Sequence, residues 1–212
     1  MIGFCWIPHR CSNVAGVTLV FAALCLLSGC WVSSVNGLVE GDFLHSDPDV
    51  TVDQRLGGTW EVTSDNCTTI LAITRDGQAY DLAATSQGGQ CNKQEKPDFS
   101  RAQLVKLDNH LFLDVSPRVD DVCATCLPLH QIFLTTFDKD LLSLTPIDSE
   151  WLKKAVEQKT VALATMPDNT DRVTAPAKDL KAFCRKYADN PHVFVPVPEF
   201  VFKRKISVVP QP

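Results

Sequence analysis

The sequence predicts a mainly β fold, an antiparallel meander accompanied by two short helices, and three observations carry that prediction. Short runs of alternating apolar and polar residues recur between Trp60 and Thr145, residues suited to tight turns separate them, and apolar residues at helical spacing occur near Trp151 and from Leu180 to Tyr187. The chain of 212 residues is 45% hydrophobic and 21% charged, with a mean hydropathy of zero. That composition excludes a disordered polymer and a polytopic membrane protein, and the length allows one domain with or without a tail. With 20 Lys and Arg against 25 Asp and Glu, there is no electrostatic footprint for nucleic acid, so no nucleic-acid partner is expected.

The β-rich domain is expected to span residues 56–212, opening at Leu56-Gly57-Gly58-Thr59-Trp60. Trp60-Glu61-Val62 alternates, Thr69, Leu71 and Ile73 share one face of the next run, and Asp76-Gly77 makes a turn before Tyr80 and Leu82 resume the alternation. Runs at 102–107 and 111–115 meet at Asp108-Asn109, and runs at 131–137 and 141–145 meet at Asp138-Lys139-Asp140. Three consecutive hairpins imply a meander, because parallel strands need a long crossover. Asp148-Ser149-Glu150 supplies a cap for a helix over 149–157 that carries Trp151, Leu152 and Ala155 on one face. A second helix is expected with Thr174 as cap, Pro176 in its first turn and Leu180, Phe183, Cys184 and Tyr187 as its apolar stripe, ending at Asn190-Pro191. A strand is expected at 161–164, and a last one at 199–209, with Pro196 and Pro198 placing its start at a sheet edge.

Ahead of the domain, Val14 to Leu27 is a run of fourteen uncharged residues preceded by Arg10 and followed by small residues. This is the layout of a secretory signal peptide, and the run is shorter than the roughly 20 residues of a membrane span. Leu27-Ser28-Gly29-Cys30 resembles the lipobox of bacterial lipoproteins. The resemblance implies removal of residues 1–29, a thioether-linked diacylglycerol on Cys30 and acylation of the new amino terminus, which together exceed the single chain that binds a bilayer only marginally. Trp31 follows in place of the Asp that marks inner-membrane retention, which points to the outer membrane facing the periplasm. Loss of the signal takes one basic residue, Arg10, and no acidic one, so the net charge moves from −5 to −6. Residues 30–55, mixed in composition and without a period, read as the lipidated Cys and a tether, with a docked piece around Val39 to Leu44.

Cysteine use fits an exported protein. Of the nine, Cys5, Cys11 and Cys25 leave with the signal, Cys30 is the lipid site, and Cys184 lies on an apolar helical stripe where a thiol behaves as a small hydrophobe. Cys67, Cys91, Cys123 and Cys126 remain as candidate disulfides, with 67 to 91 crossing the first hairpin region and 123 to 126 as one further option. Cys123-Ala124-Thr125-Cys126 also has the form of a redox pair, and the four cysteines have zinc-ligand chemistry without paired-knuckle spacing. His130 permits a Cys-His dyad to be drawn, although a lone His at a strand start is ordinarily a hydrogen-bonded residue. His45, His110 and His192 suggest no ligand set; no catalytic residue, metal or cofactor is assigned. Asp120-Asp121 reads as a solvated turn, Lys203-Arg204-Lys205 as a guard on an edge strand, and Asn66-Cys67-Thr68 as a sequon idle in a bacterium.

Gly58-Thr59-Trp60 at the head of the first strand, with a late helix followed by a further strand, resembles the lipocalins. The resemblance implies a calycin-like barrel or half-barrel, and bacterial members of that family include outer-membrane lipoproteins. No Thr-Asp-Tyr signature is present in the second half, and a helix near Trp151 is not part of the standard barrel. The expected function is a membrane-anchored, non-enzymatic domain for envelope structure or protein interaction. Carriage of a small apolar ligand, implied by the resemblance, and a thiol activity of Cys123 and Cys126 are the alternatives.

Overall fold

The computed structural model describes residues 31–40, 47–88, 91, 97–118 and 127–205. Its strands are β1 (Ser33–Ser34), β2 (Val50–Thr51), β3 (Gly58–Ser64), β4 (Cys67–Asp76), β5 (Ala79–Gln87), β6 (Asp98–Leu107), β7 (His110–Pro117), β8 (Gln131–Asp138), β9 (Leu141–Pro146), β10 (Thr165–Met166), β11 (Asn169–Val173) and β12 (Val201–Arg204). Helix α1 (Ser149–Glu157) follows β9, and helix α2 (Ala177–Tyr187) follows β11. Strands β3 to β9 pair antiparallel in chain order, and β12 closes the ring between β9 and β3. The protein is therefore a closed eight-stranded antiparallel barrel with two helices, consistent with a calycin-like fold.

The expected turns stand where their residues tolerate left-handed backbone: Gly77 (φ 62°), Asp108 (φ 54°) and Lys139 (φ 51°). A further hairpin joins β3 to β4 through Asp65 and Asn66, both at positive φ, so the sequon lies on a two-residue turn whose twist matches its strands. Helix α1 is capped as expected, Asp148 accepting from Trp151 N at 2.6 Å.

Several expectations are corrected. Residues 161–164 form no strand; Leu163 is buried in the outer core with Val161 packed against it, and the hairpin of β10 and β11 follows instead, turned at Pro167-Asp168. Thr174 does not cap α2. Pro176 takes the N-cap position in extended conformation, without a side-chain bond. The last strand is not an edge: β12 is bonded on both sides, because Pro196 and Pro198 precede it and Pro198 opens a 3-10 turn, Pro198–Phe200, outside the ladder. Arg204 accordingly guards no edge. The tether is also replaced, since Val32, Leu38 and Val39 are buried, β1 runs parallel to β11, and β2 pairs with β6. These residues lack a period because each is buried by a distant partner rather than by a neighbour in its own element.

Two cores result. One fills the barrel, with Trp60, Tyr80, Leu104, Leu113, Leu142 and Phe202 among its buried side chains. The other lies outside the wall of β6 to β8, where Val105, Phe112 and Ile132 meet α1, α2 and residues 32–39. The helix side is further tied by Lys181, whose Nζ bonds Asp47 and Asp49 and helps hold the Asp49 carboxyl below its ordinary pKa.

Strand directions place the 65–66 turn, the starts of β6 and β8, and Phe200 at one end of the barrel, and the turns at 77, 108 and 139 at the other. At the second end, the Trp60 indole donates to Leu56 O at 2.9 Å while the Arg204 guanidinium lies over its ring and donates to Gly57 O and Arg55 O. Gly58 is required there. Its φ is 132°, and a Cβ would stand 2.6 Å from Arg204 Nη1. At the first end, Phe200 packs on Phe133 and on Trp31, with ring centroids 5.7 and 5.2 Å apart.

Candidate functional site

Strand β7 alternates across the wall, turning Leu113 and Val115 inward and Phe112 and Asp114 outward. An outward carriage of charge is ordinary on a barrel, but this face is covered, and Asp114 is buried. Its carboxylate is satisfied by two donors: Leu38 N bonds Oδ2 at 2.6 Å, and His130 Nδ1 lies 2.7 Å from Oδ1. His130 stands at the end of β1, exchanging two backbone hydrogen bonds of 2.8 Å with Ser34 just before β8 begins. Gly37 crosses directly above the pair. A Cβ on it would sit 2.6 Å from Asp114 Oδ2 and 2.8 Å from the imidazole, so the crossing admits no side chain.

Beside the pair is a groove of about 360 Å³ walled by Val35, Asn36, Val39 and Glu40 on one side and by His130, Pro176 and Ala177 on the other. Asn36 fixes its far wall by donating to Thr174 O and Ala175 O. Burial pulls the His130 pKa down, and the hydrogen bond and charge of Asp114 more than offset it, leaving the imidazole above its ordinary value. With Nδ1 engaged, Nε2 is the nitrogen left to meet water or a ligand.

The arrangement can hold a proton. It offers no activated nucleophile among the described residues near it: the Ser34 hydroxyl bonds Val173 O and Asn36 N, and burial pushes the Cys184 thiol far up. Among the described residues no set of three or more His, Cys, Asp or Glu is placed to hold a metal ion.

Of the residues singled out in the sequence, Cys67 and Cys91 are joined in a disulfide with Cα atoms 5.4 Å apart, and Cys184 is a buried free thiol. Cys30, Cys123, Cys126 and His45 lie outside the described residues. His130 Nδ1 is paired with Asp114. His110 lies 3.3 Å from Asp189 and His192 donates its amide to Asn190, both away from the groove. The residue that sequence reasoning passed over is Asp114. Its signal was a carboxylate within the apolar run 111–115.

Comparison with family models, with curated proteins and with solved structures finds no match for this chain. The class of protein rests on its own geometry: a closed β-barrel whose β6–β8 wall is covered by helices, a fold compatible with a binding or carrier role.

Proposed function

We propose that the protein is a lipid-anchored, non-enzymatic component of a bacterial envelope whose barrel acts through its outer face by binding another protein. The anchor is supported by the apolar run from Val14 to Leu27 and by Leu27-Ser28-Gly29-Cys30 directly behind it. Among the described residues no helix is long and apolar enough to cross a membrane.

The observation that carries the choice of outer face is the filled interior. An eight-stranded barrel holds either one small ligand or its own side chains. Here Trp60, Tyr80, Leu104, Leu113 and Leu142 are all buried within it, and Phe200 and the Trp60-Arg204 stack stand at its two ends. The groove beside His130, by contrast, opens on the outer wall.

The test has two parts. Export in a bacterial host and mass analysis of the amino-terminal peptide should show diacylglycerol on Cys30, and a Cys30→Ser chain should be recovered unlipidated. Titration with a fluorescent fatty acid should give no saturable binding; one-to-one binding displaced by unlabelled fatty acid would replace the outer-face reading with that of a carrier.

A further inference from the structure

Residues 31–40 leave little slack between the lipid site and the barrel. Trp31 is packed on Phe200, and Ser33 and Ser34 pair with Arg172 and Val173 of β11, while Ser34 also bonds His130. Cys30 is one residue before Trp31. Three extended residues reach about 10 Å at most, so a thioether-linked lipid on Cys30 would be held within about that distance of Ser33. A conventional tether would let the domain wander; this one does not.

The end of the barrel so held has a distinct surface. Leu127, just ahead of β8, is 58% exposed, and Phe99, at the start of β6, is 43% exposed with the Arg118 guanidinium over its ring. Both belong to the end where Trp31 meets Phe200, as the pairings of Ser100 with Pro117 and Val115 with Gln131 require. Aromatic and apolar side chains beside a basic group are the composition of a surface that rests in a lipid interface.

We infer that the barrel docks end-on against the bilayer, through the end bearing Trp31, Phe99 and Leu127, with the Arg204 end pointing away. The inference rests on the lipid-anchor reading above and adds an orientation to it. Its partner is a lipid surface. The groove beside His130 then lies near the membrane, because Ser34 and His130 belong to the same end.

The test uses the full chain, exported and lipidated, purified and reconstituted in phosphatidylcholine and phosphatidylglycerol vesicles containing lipids brominated near the head group. Mass analysis of the amino-terminal peptide reports the anchor independently of orientation. Bromine quenching of tryptophan reports orientation in a Trp151→Phe parent, which removes the half-buried indole of α1: there Trp31→Phe should remove most of the quenching, since Trp60 is inside the barrel. In the Trp31→Phe background, Leu127→Trp should restore quenching and Leu141→Trp, an exposed position at the opposite end, should not. If the variants fold poorly, unchanged near-ultraviolet circular dichroism selects those that count, and the parent against Trp31→Phe alone decides. A chain without lipid on Cys30 would remove the anchor reading and this inference together. A lipidated chain in which Trp31 is unquenched, or in which positions 127 and 141 are quenched alike, would remove the inference alone.

Discussion

The guanidinium carbon of Arg204 lies 4.1 Å from the centroid of the Trp60 ring, joining the last strand of the barrel to the first. The same group donates to two backbone carbonyls, Gly57 O at 3.0 Å and Arg55 O, so it combines a cation over an aromatic face with two charge-assisted bonds. Arg204→Ala should cost about 2 to 3 kcal/mol in chemical denaturation. Arg204→Lys should recover only part of that loss, because an ammonium cannot span both carbonyls in one plane. Equal stability of Arg204→Ala and the parent would show that the stack contributes nothing.

Asp114 and His130 make stability depend on pH with a defined sign. The folded His130 pKa stands above its ordinary 6.5, so the contribution of the pair is complete below about that pH and is lost as pH rises through the folded value. Asp114→Asn should drop the His130 pKa beneath 6.5, since burial then acts unopposed, and should reverse the sign of this group's contribution, stability then being lost as pH falls through 6.5. Proton NMR titration of the imidazole measures both. A parent His130 titrating at or under 6.5 would contradict the assignment.

The Cys67–Cys91 bridge closes a loop with a sequence separation of 24. A crosslink over a loop of that length stabilises by about 3 kcal/mol, mainly through the unfolded chain. Replacing both cysteines by serine should lower the denaturation midpoint accordingly while leaving the far-ultraviolet spectrum unchanged. A midpoint that does not move would mean the bridge is absent in the folded protein.

Gln131 faces the barrel interior in register with Val115, is buried, and its Oε1 has no hydrogen-bond partner. A stranded acceptor is a net cost, so Gln131→Met, close in volume, should raise stability by about 1 kcal/mol. A loss of stability in that variant would show that the amide is satisfied in solution.

Most of the barrel was legible because its signals are local. Asp76-Gly77, Asp108-Asn109 and Lys139 mark turns by their own chemistry, and the alternation of Leu71 and Ile73 with less buried neighbours reports a strand with one core face. What stayed hidden depends on residues far apart in the chain. Leu38 sits in a stretch without a period, and it is fixed by distant residues, the carboxylate of Asp114, 76 positions later, and the outer core around Phe112 and Ile132. The prolines ahead of β12 read as an edge signal, whereas their place in a preceding 3-10 turn leaves both sides of the strand free to pair. Of the site itself, His130 was visible as a strand-start histidine, and its partner was concealed by a neighbouring apolar pattern that takes no account of a second layer outside the wall.

The closing position of β12 also sets when the molecule can become itself. The pairs Arg204 to Trp60 and Phe202 to Leu142 join the chain's final described strand to strands made much earlier. Such non-local pairing is slow, since the loop must close before any contact rewards it. Until Val201–Arg204 arrives, β3 and β9 are two open edges, each able to recruit a strand from another copy. A chain emerging across a membrane amino end first would thus stay unfinished until Val201–Arg204 follows, and a chain cut just before Val201 would be prone to self-association rather than a slightly smaller barrel.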